Sequence, residues 1–83
     1  MDNLQLGQIW QQIADLLEIL GENTYKVAAY RRGARSIIKS PVPLAELIAN
    51  EELGSLPGIG KSLESSALEF FRTGKLELLA ELE

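Results

Sequence analysis

Two stretches of this sequence carry groups suited to holding a phosphate. The first is Leu53-Gly-Ser-Leu-Pro-Gly-Ile-Gly-Lys61, a Gly-rich turn between an apolar run and a helical run. Gly58 and Gly60 can adopt the positive-φ or crowded conformations of a tight hairpin, and without side chains they leave main-chain N–H groups open to a ligand. A helix starting near Lys61 presents unpaired N–H donors and the positive end of its dipole, and both suit an anion. The second stretch holds Lys26, Arg31, Arg32, Arg35 and Lys39 without one Asp or Glu among them. Uninterrupted positive charge on one helix is the electrostatic footprint of a phosphate-tracking face. Each stretch also has a plain structural reading. Leu-Pro-Gly turns end helices in many proteins, and a basic run can be a solvated face balanced by acidic neighbours.

The formal charge of the whole chain is −4, an awkward sign for an anion binder. Distribution matters more than the sum. The basic stretch carries +5, while the remainder sets three bases against twelve acids and carries −9. There is no histidine and no cysteine, which excludes Cys/His zinc sites, disulfides and nucleophile mechanisms that need a histidine base. Any catalysis would rest on Lys, Ser, Tyr or carboxylates. The pairs Glu51/Glu52 and Glu77/Glu81 read as solvated helix faces, not as acid–base or metal groups. The lack of cysteine fits a reducing compartment. No apolar run is long enough to cross a membrane, and the first residues do not form a signal peptide. A cytoplasmic monomer with no membrane partner is expected.

The elements that must position these groups are helical. With 83 residues, 46% of them apolar, the chain is read as one small domain over 1–83. Ile9, Ile13, Leu16, Leu17 and Leu20 recur at helical spacing and predict a first helix over about 3–20, with Gly21 just past its end. Trp10 falls at the edge of that stripe and reads as a packing residue. Asn23 is a good N-cap for a second helix running to about Lys39. Val27, Tyr30, Ala34 and Ile38 share one of its faces, and Arg32, Arg35 and Lys39 share another. Ser40-Pro-Val-Pro43 breaks the chain before a short third helix over about 44–50. A fourth helix from Lys61 to about Arg72 would bury Leu63, Ala67, Phe70 and Phe71. Thr73-Gly74 stops it, and a last short helix follows over 75–82. No segment alternates with period two, so no sheet is predicted.

Three blocks in order carry a family resemblance. They are Ile13-Ala-Asp-Leu-Leu-Glu-Ile19, then Gly21-Glu-Asn-Thr-Tyr-Lys-Val-Ala-Ala-Tyr-Arg-Arg32, then Leu56-Pro-Gly-Ile-Gly-Lys61 with Thr73-Gly-Lys75. Together they are similar to the amino-terminal domain of family X DNA polymerases, the DNA polymerase beta group, in its bacterial and archaeal style. Leu56-Pro57-Gly58-Ile59-Gly60 resembles the hairpin of a helix-hairpin-helix, here over about 44–72. The resemblance implies an all-α fold, a compact bundle of four to five short helices, that grips nucleic-acid backbone without reading sequence. It implies binding at the 5′-phosphate side of a DNA gap, with Lys26 and Tyr30 at pocket positions. Tyr25 falls where the animal enzyme stacks a histidine on a base. The main-chain carbonyls of Gly54, Leu56 and Ile59 match positions that hold a monovalent cation, Na+ or K+; no other cofactor is implied.

The departures from the family pattern shape the expected function. Many members excise a 5′-deoxyribose phosphate through a lysine Schiff base, and that lysine falls at Ser66 here. A serine hydroxyl cannot form an imine. The preceding family glutamate is Ser65, a second pocket lysine is Ser62, and a basic position ahead of the hairpin is Gly54. Lys61 lies five positions before Ser66 and would point elsewhere. Glu64, where the hairpin motif usually has Ala, gains from the dipole of the fourth helix but opposes a phosphate at the same end. The expectation is a weak, non-sequence-specific DNA-binding domain of a repair type, for gapped or single-stranded DNA, without lyase activity and without a polymerase domain in this chain. The residues expected to touch DNA are Lys26, Tyr30, Arg31, Arg32, Arg35, Gly58, Gly60 and Lys61. The alternative is a protein-interaction scaffold of the same fold that has lost DNA. The acidic remainder and the residues Ser62, Glu64 and Ser66 favour it.

Overall fold

In the computed structural model, which describes residues 2–83, the first helix begins with a pair of reciprocal hydrogen bonds. Asp2 Oδ1 accepts the Gln5 N–H at 2.7 Å, and Gln5 Oε1 accepts the Asp2 N–H at 3.1 Å. This capping box opens α1, Asn3–Ile19. Gly21, at φ 75°, ends it in the left-handed region. Asn23 then caps α2, Thr24–Lys39, by accepting the Tyr25 N–H at 2.7 Å. The prolines at 41 and 43 separate α2 from α3, Leu44–Ala49. A 3-10 turn, Leu53–Ser55, leads to the hairpin, followed by α4, Lys61–Thr73, and α5, Glu77–Leu82. Among the described residues there is no strand. The all-α expectation and the five predicted helices hold, with ends shifted by at most two residues.

The seam between α1 and α2 is not the one the large aliphatic residues suggest. Leu6, Trp10, Ile13 and Leu17 form the buried line of α1, joined by Gly7 and Ala14. Ile9 and Leu16 are only half-buried, and Leu20 is 60% exposed. The physical reason is close approach: any side chain at Gly7 would collide with Ile38 of α2 and crowd the Ala34 carbonyl. Helices settle where small residues let backbones near, and the larger side chains then pack around that line. Trp10 therefore stands at the centre of the core with no exposed surface, not at its edge. Its indole N–H is satisfied there by Ser66 Oγ on α4 at 2.9 Å, which a buried tryptophan requires.

α4 closes the core from the other side. Leu63, Ala67 and Phe70 are buried, whereas Phe71, one residue and about 100° further round the helix, is 37% exposed. The expectation that both phenylalanines are buried thus fails for Phe71. Gly33 on α2 lets α4 approach, since a side chain there would run into Leu63. Asn3 ties the start of α1 to the start of α3: its Oδ1 accepts the Leu44 N–H at 2.7 Å and its Nδ2 donates to the Val42 carbonyl at 2.9 Å. α5 packs along α1 through Leu78, Leu79 and Leu82 at the edge of the same core.

Candidate functional site

The hairpin is a tight turn at Leu56–Ile59. Ile59 N–H donates to the Leu56 carbonyl at 3.2 Å, Pro57 follows Leu56, and Gly58 has φ 80°. Proline second and a left-handed glycine third is the pattern of a type II turn. Ile59 is buried and anchors the turn to the core, while Gly58 is half-buried against α2. A Cβ on Gly58 would lie 2.6 Å from Arg32 Cγ and 2.7 Å from its Cδ. Glycine is therefore required twice here, for its backbone angle and for the aliphatic stem of Arg32 that crosses it. One turn along α2, Ser36 Oγ donates to the Pro57 carbonyl. Arg32 and Ser36 together fasten the hairpin to the basic helix. Sequence spacing did not reveal this pairing, because it joins residues about two dozen positions apart.

Gly60 does a different job. It has φ −89° and ψ −171°, an ordinary extended conformation, and nothing lies within 4 Å of where its Cβ would be. It is the N-cap of α4, and it supplies no side-chain acceptor. Glu64 N–H reaches the Gly60 carbonyl at 2.9 Å, but the N–H groups of Lys61, Ser62 and Leu63 have no partner among the described residues. The other helix starts differ. Asp2 serves α1, Asn23 serves α2, Asn3 serves α3, and Glu69 Oε2 accepts the Glu77 N–H at the start of α5 at 2.8 Å. Three donors and a positive dipole end are thus left open beside Gly58 and Arg32, an arrangement that suits a phosphate. Lys61 is exposed at the first position of α4.

The remaining basic residues divide into two groups. Arg31 Nη1 reaches Asp15 Oδ1 at 2.9 Å, and its Nη2 reaches Glu18 Oε1 at 2.9 Å. The hydrogen bond that Arg31 donates to Asp15, reinforced by the charge of Glu18, raises the pKa of Arg31 above its usual value. Arg31 is thereby tied to α1, as the balanced reading of the basic run has it. Arg35 lines a shallow cleft with Arg31, Gln11 and Asp15 on the same side. Arg32, Lys26 and Lys39 are exposed and make no ion pair among the described residues. Lys26 lies in the first turn of α2, one turn before Tyr30 on the same face. Tyr30 is 7% exposed, and its pKa is raised, first by burial and then by the negative charge of Glu69. Tyr25 stands out in solvent at 84% exposure.

Ser66, at the position where the family resemblance has its lysine, has its hydroxyl occupied by the Trp10 indole. Glu64 and Gly54 turn out to be one local feature. A Cβ on Gly54 would come within 3.3 Å of Glu64 Oε2, so a side chain at 54 would lie directly beside the Glu64 carboxylate. Of the carbonyls matched to the cation position, that of Leu56 already accepts the Ile59 N–H.

A family model described as a helix-hairpin-helix domain matches residues 1–76. The chain belongs to that family. Over all 83 residues it is 32% identical to the DNA polymerase/3'-5' exonuclease PolX of Bacillus subtilis strain 168. The matched part is the amino-terminal region of that family X polymerase. The chain spans 14% of the length of this relative. No helix of the described residues is long and apolar enough to cross a membrane.

Proposed function

We propose that this domain binds DNA through its phosphates, without reading base sequence, at gapped or single-stranded sites of the kind met in repair. The observation that carries the reading is the open start of α4, with its free N–H groups beside Gly58 and the unpaired Arg32. Backbone amides and a guanidinium recognise phosphate oxygens whatever base is attached. Lys26 and Tyr30 form the second part of the site and would engage a 5′-phosphate or the adjoining strand. Lys61 adds charge at the first contact, and Arg35 adds to the field at longer range. Arg31, already neutralised by two carboxylates, contributes least. The name of the Bacillus relative, a DNA polymerase and exonuclease, agrees in substrate class.

Few contacts make for weak binding and a shallow salt dependence. A monovalent cation at the carbonyls of Gly54, Leu56 and Ile59 belongs to the same proposal and would stiffen the turn. Lyase chemistry does not. Ser66 has no amine for an imine, and its hydroxyl is engaged by Trp10.

An amide NMR titration with gapped DNA bearing a 5′-phosphate, at low and at moderate salt, tests the reading. Salt-sensitive shifts are expected at Lys26, Tyr30 and Gly58–Lys61, unaffected by scrambling the base sequence. No shifts at low salt, or nanomolar sequence-selective binding, would overturn it. Borohydride trapping on an abasic substrate is expected to give no covalent adduct.

A further inference from the structure

α1 and α3 end on the same backbone motif, built with different residues. After α1, the N–H groups of Gly21 and Glu22 return to the carbonyls of Glu18 and Leu17 at 3.1 and 3.0 Å. After α3, those of Glu51 and Glu52 return to Ile48 and Leu47 at 3.1 and 2.9 Å. Both are Schellman closures, in which one residue must adopt the left-handed conformation. In the first it is Gly21, at φ 75°; in the second it is Glu51, at φ 55°. A side chain at such a position is strained, and strain of this kind persists where the side chain has a use.

Glu51, exposed to solvent, lines a cleft of about 350 Å³ between α3, the 3-10 turn and α4. Leu47 and Leu53 form its buried floor, and Ile48 and Leu68 its half-buried walls. Glu64 faces the same cleft from the first turn of α4. Neither carboxylate makes an ion pair or accepts a side-chain hydrogen bond among the described residues. Residues 44–55 hold three acids and no base. Nucleic acid is repelled from such a surface. A wholly apolar ligand would strip water from two unpaired carboxylates, at a cost. The chemistry that fits is an apolar side chain flanked by cations, which fills the cleft and pairs with both acids at once.

We propose that the α3–α4 cleft docks a short basic segment of a partner protein, one aliphatic side chain entering between Leu47, Leu53 and Leu68 while flanking Lys or Arg residues pair with Glu51 and Glu64. The site uses none of the residues assigned to DNA, so it stands or falls separately.

The probe is the peptide acetyl-Arg-Leu-Arg-amide, titrated into the labelled domain at low salt. Amide shifts are expected at Ile48, Glu51, Leu53, Glu64 and Leu68, and acetyl-Arg-Ser-Arg-amide and acetyl-Glu-Leu-Glu-amide should each bind at least roughly fivefold more weakly. Glu51→Gly is expected to melt at a higher temperature than the parent, because the strain is relieved, yet to bind the peptide about fivefold more weakly. Glu64→Gln should show a similar loss of binding with the fold intact. Equal binding of either control peptide, shifts confined to α2 and the hairpin, no shift at millimolar peptide, or unchanged affinity in both variants would overturn the proposal.

Discussion

At the start of α1, Asp2 and Gln5 exchange hydrogen bonds across the first turn; at the start of α4, Gly60 offers no acceptor and three N–H groups stay open. The two helices face the same electrostatic demand, since each has unpaired donors and a positive dipole end. α1 meets part of it internally, through the Gln5 N–H, and forms one wall of the core. α4 leaves it unmet at the place where the hairpin, Arg32 and Lys61 converge. A capped terminus serves stability, and an uncapped one leaves its donors open. α3 and α5 stand between the two: their N-caps, Pro43 and Leu76, offer no acceptor, and Asn3 and Glu69 from elsewhere in the chain take only the first N–H of each.

The strongest way to break the contrast is to close α4. In Gly60→Asp the new carboxylate would accept from the N–H groups of α4, since Gly60 already has the extended backbone of an N-cap and free space around it. Stability should rise by a few tenths of a kcal/mol. Affinity for 5′-phosphorylated gapped DNA, read by fluorescence anisotropy at low salt, should fall by at least about tenfold, because both the donors and the local charge are lost. A variant that is more stable and binds undiminished would remove α4 from the site.

A finer cut separates two adjacent arginines. Arg32→Ala should weaken binding by roughly fivefold and flatten the slope of log K against log salt by about 0.7 to 0.9, the loss of one phosphate contact. Arg31→Ala should leave that slope unchanged and lower the melting temperature slightly, because its partners are Asp15 and Glu18. The converse manipulation is at α1. Asp2→Ala should cost about 1 kcal/mol in denaturant unfolding, with no change in DNA affinity.

These contrasts were unequally legible in the sequence. Periodicity and the punctuation at Gly21, Asn23, Pro41, Pro43 and Gly74 place the helices, because local backbone rules decide those points. The Asp2-x-x-Gln5 capping box, although a short-range signature, was not among the features that the periodicity and punctuation pick out. What packs where was less so. Trp10 moved from edge to centre because Gly7 and Ala14 decide the line of approach, and side-chain size in one helix does not reveal its neighbour's small residues. Arg31 and Arg32 are indistinguishable in a charge count. Only the tertiary structure shows one held by α1 and the other lying over Gly58. The substitution at Ser66 was visible, but its bond to Trp10, 56 positions away, was not.

Tyr30 offers the smallest effect and the most local one. It belongs to the pocket by resemblance and to the core by burial, and high pH separates these roles. Burial and the charge of Glu69 raise its pKa in the folded state, so between the unfolded and folded values the native chain holds a proton that the unfolded chain has released. Stability is then fully present below the unfolded value near 10 and falls as pH rises through the folded one. Tyr30→Phe cannot ionise, and it should flatten the decline of unfolding free energy above pH 10 while leaving stability at pH 7 nearly unchanged. Its hydroxyl donates no hydrogen bond among the described residues, so little else is lost with it. If the alkaline decline were identical in the variant, the phenol would have to be solvated in the native state. Lys26 would then be left without a buried neighbour to complete the second part of the site.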